Sequence, residues 1–414
     1  MRIAVVGSGI AGLASAWLLA KEHEVTLFEA NDYLGGHTHT HDIEVGGAKY
    51  AVDTGFIVFN PPHYPLLNKL FETLGVESQS TTMSFALKNE RTGLEYNATS
   101  LNSLFCQRRN LVSPRFLRML RDILRFYRDA PTLLDSSDVG PTLGDYLAQC
   151  RYSDAFRDDH LVPMASALWS SSSREILNFP AKYLVRFMDN HQMLQAGARP
   201  QWRVLKGGSQ SYVRAVRKNW AVRERVNCPV KQIRREADGV RVESDAGNER
   251  FDQAVLACHS DQALALLADP GTRERDILGA MPYQENDTVL HTDANLLPRN
   301  RRAWAAWNAL VPTDPSDHCT VSYCMNHLQS LDAAEPIVVT LNRTAQIDPM
   351  KILQRMRYHH PLYSPASVAA QSRKAEIQGT NKTWFAGAYW GWGFHEDGMR
   401  SAVDVANGLG VRWA

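Results

Sequence analysis

The chain has 414 residues, of which 44% are hydrophobic and 21% are charged. This composition supports a large buried core, and the length suggests about two domains. The 45 basic residues balance the 44 acidic ones, which excludes the strongly basic profile of a nucleic-acid-binding protein. Six cysteines without a CxxC pair predict free thiols, and no apolar run approaches the roughly 20 residues of a membrane span, which favours a cytoplasmic location.

The start of the chain predicts a dinucleotide-binding unit. A buried strand runs into the spacing Gly7-x-Gly9-x-x-Gly12, a helix follows, and a second strand ends at Glu29. The three glycines allow a tight turn, a close approach to a pyrophosphate and close packing of helix on strand. The helix start would direct backbone N–H groups at the phosphates, and Glu29 could accept the ribose hydroxyls. The neighbouring residues predicted to contact the same cofactor are Ser8, Ala11 and Ala30.

A second glycine pair, Gly35-Gly36, could meet the same pyrophosphate. It is followed by His37, His39 and His41, which would share one face of a strand, a layout that could also suit a metal. No cysteine or second histidine group stands nearby in the sequence to complete a metal site. We therefore predict no metal site, and expect these histidines to form a polar layer around the cofactor.

Residues 114–129 predict an amphipathic helix. Its apolar positions are Phe116, Met119, Leu120, Ile123, Leu124 and Tyr127. The other face carries five arginines and two aspartates, so the helix could be a solvated surface element or could rest on an anionic membrane.

The second half of the chain repeats strand patterns that suit a nucleotide domain. One strand includes Val230, a hairpin covers residues 239–251, and a fully buried strand ends at the small residue Ala257. Val230 and Ala257 are predicted to lie beside the cofactor.

A short apolar strand and a helix at the C-terminus predict a further contact with the cofactor. The strand at residues 383–385 leads to Gly387 and Ala388, and a helix begins near Asp397. A helix N-terminus suits the negative charge that a flavin gains on reduction, and no second strand-linked glycine motif indicates a separate NAD(P)H domain. The sequence therefore favours FAD over NAD. The remaining predicted contacts here are Phe394, His395, Glu396, Gly398 and Met399, and the predicted aromatic walls of a substrate cavity are Trp202, Tyr389, Trp390 and Trp392.

These features resemble the flavin-containing amine oxidoreductase superfamily, which includes amine oxidases, protoporphyrinogen oxidase and carotenoid desaturases. Several motifs look more specifically like the oxidase-like N-terminal domain of plant cyclopropane fatty acid synthases and its stand-alone bacterial relatives. They are residues 35–37, 53–60, 161–163, 197–202, 281–283, 303–308 and 393–398. The resemblance implies FAD contacts from Gly55 and Phe56, a lipid acyl chain as substrate class, and a lipid methyltransferase as a possible partner.

The resemblance also implies a fold, an α/β Rossmann-like FAD-binding domain interleaved with an α+β substrate domain. We predict an FAD-binding domain made of residues 1–80, 205–284 and 376–414. Residues 81–204 and 285–375 would form the substrate domain.

Amine oxidases of this superfamily carry a lysine on the strand that enters the substrate domain, and here the corresponding strand, 284–291, has none. Strand alternation places Asp287 and His291 on one face, so they are the candidate catalytic pair, although the pattern favours a hydrogen-bonded polar pair with a structural role. We expect dehydrogenation of an apolar substrate by hydride transfer to FAD. The alternatives are an amine oxidase or terpenoid-type desaturase, and a non-catalytic flavin-binding partner of a lipid methyltransferase.

Overall fold

The computed structural model describes residues 1–135, 140–169, 172–195, 197, 200–218, 220–314 and 319–413. Ala198 and Arg199, which belong to one of the motifs above, lie outside the described residues. No helix within these ranges combines the length and apolar character that a bilayer crossing requires.

The described residues form nineteen strands. They are β1 (Arg2–Val6), β2 (Glu24–Phe28), β3 (Thr40–Val45), β4 (Ala48–Asp53), β5 (Ser78–Thr81), β6 (Phe85–Asn89), β7 (Leu94–Asn97), β8 (Trp202–Leu205), β9 (Val222–Arg225), β10 (Val230–Glu236), β11 (Gly239–Ser244), β12 (Gly247–Phe251), β13 (Gln253–Leu256), β14 (Tyr283–His291), β15 (Trp307–Val311), β16 (Thr320–Cys324), β17 (Val338–Leu341), β18 (Ile352–Pro361) and β19 (Thr383–Phe385).

The described residues form fifteen α-helices, seven of them between β7 and β8. They are α1 (Ile10–Leu19), α2 (Pro65–Leu74), α3 (Leu101–Leu104), α4 (Pro114–Asp129), α5 (Leu143–Gln149), α6 (Asp154–Phe156), α7 (Val162–Trp169), α8 (Ser173–Asn178), α9 (Ala181–Asn190), α10 (Gln210–Arg217), α11 (Ser260–Leu266), α12 (Thr272–Leu278), α13 (Met325–Leu328), α14 (Pro365–Ser372) and α15 (His395–Gly408).

A five-stranded parallel sheet forms the first layer, in the order β19-β13-β1-β2-β9. Successive residues of β1 face opposite sides of this sheet. Ile3 and Val5 pack with α1 and α15 on one side, whereas Ala4 and Val6 pack with the antiparallel sheet β10-β11-β12 and with α11 and α12 on the other. Both sides are therefore covered, as the apolar sequence of β1 predicts. Segments far apart in the chain share this sheet.

A mixed seven-stranded sheet forms the second large layer, in the order β18-β14-β17-β16-β15-β6-β7. Its strands are antiparallel except for the β15–β6 pair. Two smaller antiparallel sheets are formed by the pairs β3-β4 and β5-β8. The α/β architecture is confirmed, whereas the exact domain boundaries stay a prediction.

Helix α4 has the predicted bounds, but the residues of its predicted apolar face differ in burial. Phe116 and Met119 are buried against β6 and β7, and Phe126 is buried in the core formed with α5 to α9. Leu124, which the sequence places on the same apolar face, is exposed. Asp122 is buried on the inner side, where its carboxylate accepts a hydrogen bond from the backbone N–H of Ser153 at 3.0 Å. The predicted apolar face is thus mainly a core face.

Candidate cofactor and active site

Three glycines follow the carboxyl end of β1, and at two of them a side chain has no room. Gly7 has a φ of +98°, and a Cβ there would lie 2.9 Å from the carbonyl oxygen of Ala257. A Cβ on Gly12 would lie 1.8 Å from the carbonyl oxygen of Gly7, so only glycine lets α1 pack this close to β1. A Cβ on Gly9, by contrast, would point into open space. This opening leaves room for a ligand at the start of α1.

The first turn of α1 offers its backbone N–H groups to that opening. Gly9 is the N-cap residue, so no side chain caps these groups, and the first turn has no acidic residue. Uncapped helix N-termini of this kind carry partial positive charge and bind anions. The second glycine pair encloses the same position, because a Cβ on Gly36 would lie 3.1 Å from the Cα of Gly9 and the Gly35 N–H donates to the carbonyl of Ser8 at 3.1 Å. We call these two turns the glycine cradle.

Glu29 lies at the edge of the glycine cradle. One carboxylate oxygen accepts hydrogen bonds from the backbone N–H and the hydroxyl of Ser8, at 2.9 and 2.6 Å. The other accepts from the backbone and side-chain amides of Asn31, both at 2.9 Å. The predicted ribose acceptor therefore also holds together the loops that follow β1 and β2.

The C-terminal segment reaches the glycine cradle through α15. A Cβ on Gly398 would lie 2.7 Å from Cγ2 of Ile10, so α15 crosses the start of α1 at a glycine. The His395 ring stacks on Phe56 with a centroid distance of 3.7 Å, and its Nε2 lies 3.0 Å from the hydroxyl oxygen of Thr38. Residues from both ends of the chain thus meet beside the second glycine turn.

Three histidines from distant segments form a cluster next to the cradle. The His37 ring centroid lies 6.4 Å from that of His259 and 5.4 Å from that of His360. Tyr283 stacks on His259 at 4.2 Å, and Tyr358 lies 5.1 Å from His37. We call His37, His259 and His360 the histidine cluster.

Burial keeps the histidine cluster neutral. It lowers the pKa of His37 to about 4 and the pKa values of His259 and His360 to about 3, and repulsion between neighbouring histidines lowers them further. The Nε2 atom of His37 is buried without a hydrogen-bond partner among the described residues. Within the same ranges, no group of three His, Cys, Asp or Glu side chains could hold a metal ion. The cluster therefore presents polar but uncharged rings at pH 7.

The pairing of β14 with β18 decides which face of β14 looks toward the histidine cluster. Asn286 pairs with Tyr358, whose hydroxyl lies 2.6 Å from that of Thr54 and 3.0 Å from Nδ1 of His39. The Asn286 side chain is fully buried and its Nδ2 lies 3.2 Å from Nδ1 of His360. The side of β14 that carries Asn286, Thr288 and Leu290 is therefore the inner face.

The structure does not bring Asp287 or His291 to the histidine cluster. Asp287 pairs with the exposed Arg357 on the outer face and accepts a hydrogen bond from the Thr344 hydroxyl. His291 is buried, with its Nε2 2.8 Å from the Thr340 hydroxyl, while its Nδ1 accepts from the Asp293 N–H. This placement argues against the predicted catalytic pair, because neither side chain lies on the face of β14 that contacts the histidine cluster.

A cavity of about 240 Å³ opens beside α15. The rings of His63 and His191 stack there with centroids 5.0 Å apart, and Trp392 and Phe394 complete the aromatic side. Burial lowers the pKa of His191 to about 4, so this wall is uncharged at neutral pH. The remaining residues that line the cavity are Pro62, Tyr64, Pro65, Asn190, Glu396, Asp397 and Arg400.

The model of the family described as flavin containing amine oxidoreductase matches residues 10–290, more than half of the chain. The chain belongs to this family. This family comprises flavin-containing oxidoreductases. The family accounts for the glycine cradle and for the fold that brings α15 to it.

The relatives and solved structures of this amine oxidoreductase carry several different names. It is 44% identical over 75 residues to the 1-hydroxycarotenoid 3,4-desaturase of Flavobacterium sp. (strain P99-3), covering 18% of this chain and 14% of that protein. It spans between 12% and 59% of the length of the curated relatives it matches.

Among solved structures, a CLA-producing fatty acid isomerase from P. acnes has a TM-score of 0.70 at 16% identity, covering 99% of this chain and 98% of that one. Cyclohexylamine oxidase from Brevibacterium oxydans IH-35A has a TM-score of 0.66 at 17% identity, covering 99% of both chains. These similarities establish the fold.

The glycine cradle of the amine oxidoreductase fits FAD. The open space at Gly9 and the uncapped N–H groups of α1 suit a pyrophosphate, and the unpartnered Nε2 of His37 stands beside the second turn. When bound, FAD supplies the hydride acceptor of the reaction. The residues that would hold it are those of the cradle, together with Glu29 and the N-terminal turn of α15.

Most of the predicted cofactor residues converge on the cradle. Gly55 packs against the carbonyl of His37, Phe56 donates its N–H to that carbonyl at 2.7 Å, and Ala257 donates to Val6 at 2.8 Å. The others in contact with this region are Ser8, Ala11, Gly12, Gly387, Ala388, Gly398 and Met399. Ala30 is exposed directly after Glu29, and Val230 follows a loop in which Cys228 donates to the Glu29 carbonyl at 2.8 Å.

Two predicted cofactor residues have other partners. The Glu396 carboxylate accepts the backbone N–H groups of Leu66 and Leu67, at 3.1 and 3.0 Å, and so caps α2. The Asp397 carboxylate accepts the N–H groups of Trp392 and Phe394, at 3.0 and 3.1 Å. Glu396 thus ties α15 to α2, and Asp397 shapes the loop before α15.

The four predicted wall aromatics do not form one cavity. Trp392 lines the cavity beside α15. Trp202, the first residue of β8, packs near Tyr64. Trp390 donates its indole N–H to the Phe385 carbonyl at 3.0 Å and packs in the core on the other side of the parallel sheet. Tyr389 is buried in that same core, with its hydroxyl unpartnered among the described residues.

The sequence prediction missed several side chains that the fold brings to the site. His259 follows β13 at the edge where parallel strands end, which is a position typical of functional residues, and this signal was available. Asn286, His360, His63 and His191 have no comparable local signal, because only the packing of distant segments brings them together.

Proposed function

We propose that this FAD-dependent oxidoreductase dehydrogenates an apolar substrate, a fatty acyl chain of a membrane lipid. The observation that carries the proposal is the uncharged inner face of β14, on which Asn286 contacts the histidine cluster and Thr288 and Leu290 follow on the same side. The lysine that amine oxidases of this superfamily carry on this strand is missing from residues 284–291.

The electrostatics of the inner face favour an apolar substrate over a cationic one. The histidine cluster is neutral because burial lowers each pKa well below 7. An ammonium group entering such a site would lose hydration without gaining a charged partner. An acyl chain gains free energy when it leaves water for apolar and aromatic walls.

The aromatic cavity beside α15 gives such a chain a place to enter. Its walls include His63, His191, Trp392 and Phe394, whose rings pack against one another. Positioning a C–H bond and excluding water are the main tasks of the protein in a hydride transfer. Two relatives support the direction of the proposal, since one is named as a fatty acid isomerase and another as a carotenoid desaturase.

The test is anaerobic reduction of the FAD-loaded protein, followed by loss of the visible flavin absorbance. We expect bleaching by unsaturated phospholipids such as dioleoyl phosphatidylglycerol, and no bleaching by cyclohexylamine or benzylamine. Product analysis by mass spectrometry should then show a loss of two hydrogens from an acyl chain. Bleaching by amines alone would replace the proposal by amine oxidation.

Two controls separate the remaining possibilities. The Gly9→Ala protein, which should fold without binding FAD, sets the background for lipid oxidation. A protein that neither lipid nor amine reduces, and that co-purifies with a lipid methyltransferase, would instead be a flavin-binding partner of that enzyme. Lipid profiles of cells with and without the protein give an independent check.

A further inference from the structure

The exposed apolar side chains of this protein are unevenly distributed. Seven large hydrophobic side chains are exposed among the described residues, and five of them lie between positions 101 and 124. These five are Leu101, Leu111, Val112, Leu117 and Leu124, with exposures from 44% to 80%. Contiguous apolar exposure of this kind marks an interaction site. We call this segment and its side chains the 101–124 surface.

The local geometry makes the 101–124 surface continuous. Leu117, Arg121 and Leu124 follow one another at helical spacing along the outer side of α4. Leu111 and Val112 end the 3₁₀ turn Arg108–Val112, and the next residue is the N-cap of α4. Leu101 begins α3, which is tied to that turn because the Arg108 guanidinium donates to Asn102 Oδ1 at 2.6 Å.

The charge of the 101–124 surface is strongly positive. Arg108, Arg109 and Arg118 are exposed, and none has a carboxylate within ion-pair distance among the described residues. Arg121 is 70% exposed and lies 4.0 Å from the Asp122 carboxylate, which is itself buried and shared with Arg125. Between positions 101 and 124 there are five arginines and one aspartate. The aspartate is turned inward, so the outer surface presents cations alone.

We propose that the 101–124 surface docks this protein on an anionic membrane, with the leucines and the valine inserted among the lipids and the arginines at the phosphate groups. Apolar side chains surrounded by arginines are the chemistry that binds a lipid interface. A protein partner would favour exposed aromatic residues and few charges at the centre of the surface. Here the exposed apolar side chains are aliphatic, because Phe105 is half-buried and Phe116 is buried.

The buried side of α4 explains why the docking surface is rigid. Phe116 and Met119 anchor the helix on the seven-stranded sheet, and Arg125 lies 3.9 Å from the ring centroid of Tyr152 while donating to the Cys150 carbonyl. Arg115 forms an ion pair of 2.6 Å with the buried Asp159. The docking surface therefore comes preorganised on a fixed helix, and the proposal does not depend on which substrate is oxidised.

The experiment is flotation of the FAD-loaded protein with phosphatidylcholine vesicles, with and without phosphatidylglycerol. We expect binding only to the vesicles that contain phosphatidylglycerol, weakening as salt is raised. Arg118→Glu with Arg121→Glu should weaken partitioning by at least about tenfold, since each arginine near an anionic surface contributes strongly. Leu117→Ser with Leu124→Ser should weaken it as well, because it removes apolar burial.

The matched control is Met350→Ser with Arg355→Glu, which changes an exposed apolar residue and an exposed arginine elsewhere on the surface. This pair should bind vesicles like the unchanged protein. Thermal melts of all variants check folding, which exposed substitutions should leave intact. Equal vesicle binding by the α4 variants and the control would overturn the proposal. It would also be overturned if the α4 variants kept vesicle binding but lost self-association of the protein. Flavin reduction by lipid in detergent micelles tests the proposed function separately.

Discussion

The rings of His395 and Phe56 stack at a centroid distance of 3.7 Å with an angle of 17° between their planes. This contact joins the first turn of α15 to the segment after β4, across more than three hundred residues of chain. The Thr38 hydroxyl lies 3.0 Å from Nε2 of His395 and 2.6 Å from the Tyr212 hydroxyl. These hydrogen bonds hold the His395 ring in its stacked position. These contacts therefore join the N-terminal and C-terminal segments that meet beside the glycine cradle.

This connection predicts how the protein retains FAD. His395→Ala removes the stack and should speed FAD release by up to about tenfold, since an aromatic pair contributes about 0.5–1.5 kcal/mol. His395→Phe keeps the stack and should release FAD more slowly than His395→Ala. The measurement is the rise of free FAD fluorescence after dilution. Equal release from both variants would show that the stack has no part in retention.

The two glycines around the start of α1 should respond to alanine in opposite ways. Gly9→Ala meets open space at an ordinary φ of −60°, so the protein should fold normally but lose most of its FAD. Gly12→Ala would place a Cβ 1.8 Å from the Gly7 carbonyl oxygen, so it should fold poorly or not at all. Circular dichroism melts and the ratio of flavin to protein absorbance distinguish the two effects.

Gly271→Ala is the matched control for Gly9→Ala. Gly271 also precedes a helix with an ordinary φ, of −72°, and a Cβ there would be 3.5 Å from the Glu274 carboxylate, which is van der Waals contact. It should change neither folding nor FAD content. Full FAD content in the Gly9→Ala protein would remove the pyrophosphate from the position we assign to it.

The histidine cluster predicts acid sensitivity. In the unfolded chain these histidines take up protons near pH 6.5, whereas in the folded protein burial lowers the pKa of His37 to about 4 and those of His259 and His360 to about 3. Unfolding therefore takes up protons as the pH falls from 6.5 to about 3, so the contribution of the cluster to stability is full above pH 6.5 and is lost across that window. Each histidine contributes a slope of up to about 1.4 kcal/mol per pH unit.

Urea unfolding of the FAD-free protein between pH 4.5 and 7.5 measures this slope. His360→Gln should lower it by about one proton. A slope that does not change with His360→Gln would contradict a neutral His360 in the folded protein.

Asp287 should be dispensable for flavin reduction. Its side chain is on the outer face of β14 and accepts a hydrogen bond from Thr344, which an asparagine oxygen can also do. We expect Asp287→Asn to reduce its flavin at the normal rate with the best lipid donor in stopped-flow absorbance. Tyr358→Phe is the contrasting change, because it removes the inner-face hydroxyl beside Thr54 and His39, and should alter the flavin spectrum or its reduction rate. A large loss of rate in Asp287→Asn would return that residue to the mechanism.

The glycine motif, the strand–helix–strand order and the bounds of α4 follow from local sequence. A glycine is needed wherever φ is positive or a Cβ has no room, and Gly7 and Gly12 show both conditions. Period-two burial in a strand and helical spacing in α4 are likewise properties of neighbouring residues. For this reason the sequence alone was sufficient to predict the α/β class and FAD as the cofactor.

Only the tertiary structure decided which side chains lie together beside the glycine cradle. Alternation along β14 defines two faces, but its pairing with β18 makes the Asn286 face the inner one and leaves Asp287 outside. The histidine cluster brings together residues 37, 259 and 360, which are far apart in the chain. On α4, the leucines that make no core contact are the exposed ones. Local sequence specifies conformation, whereas the partner of each face depends on long-range packing that neighbouring residues do not encode.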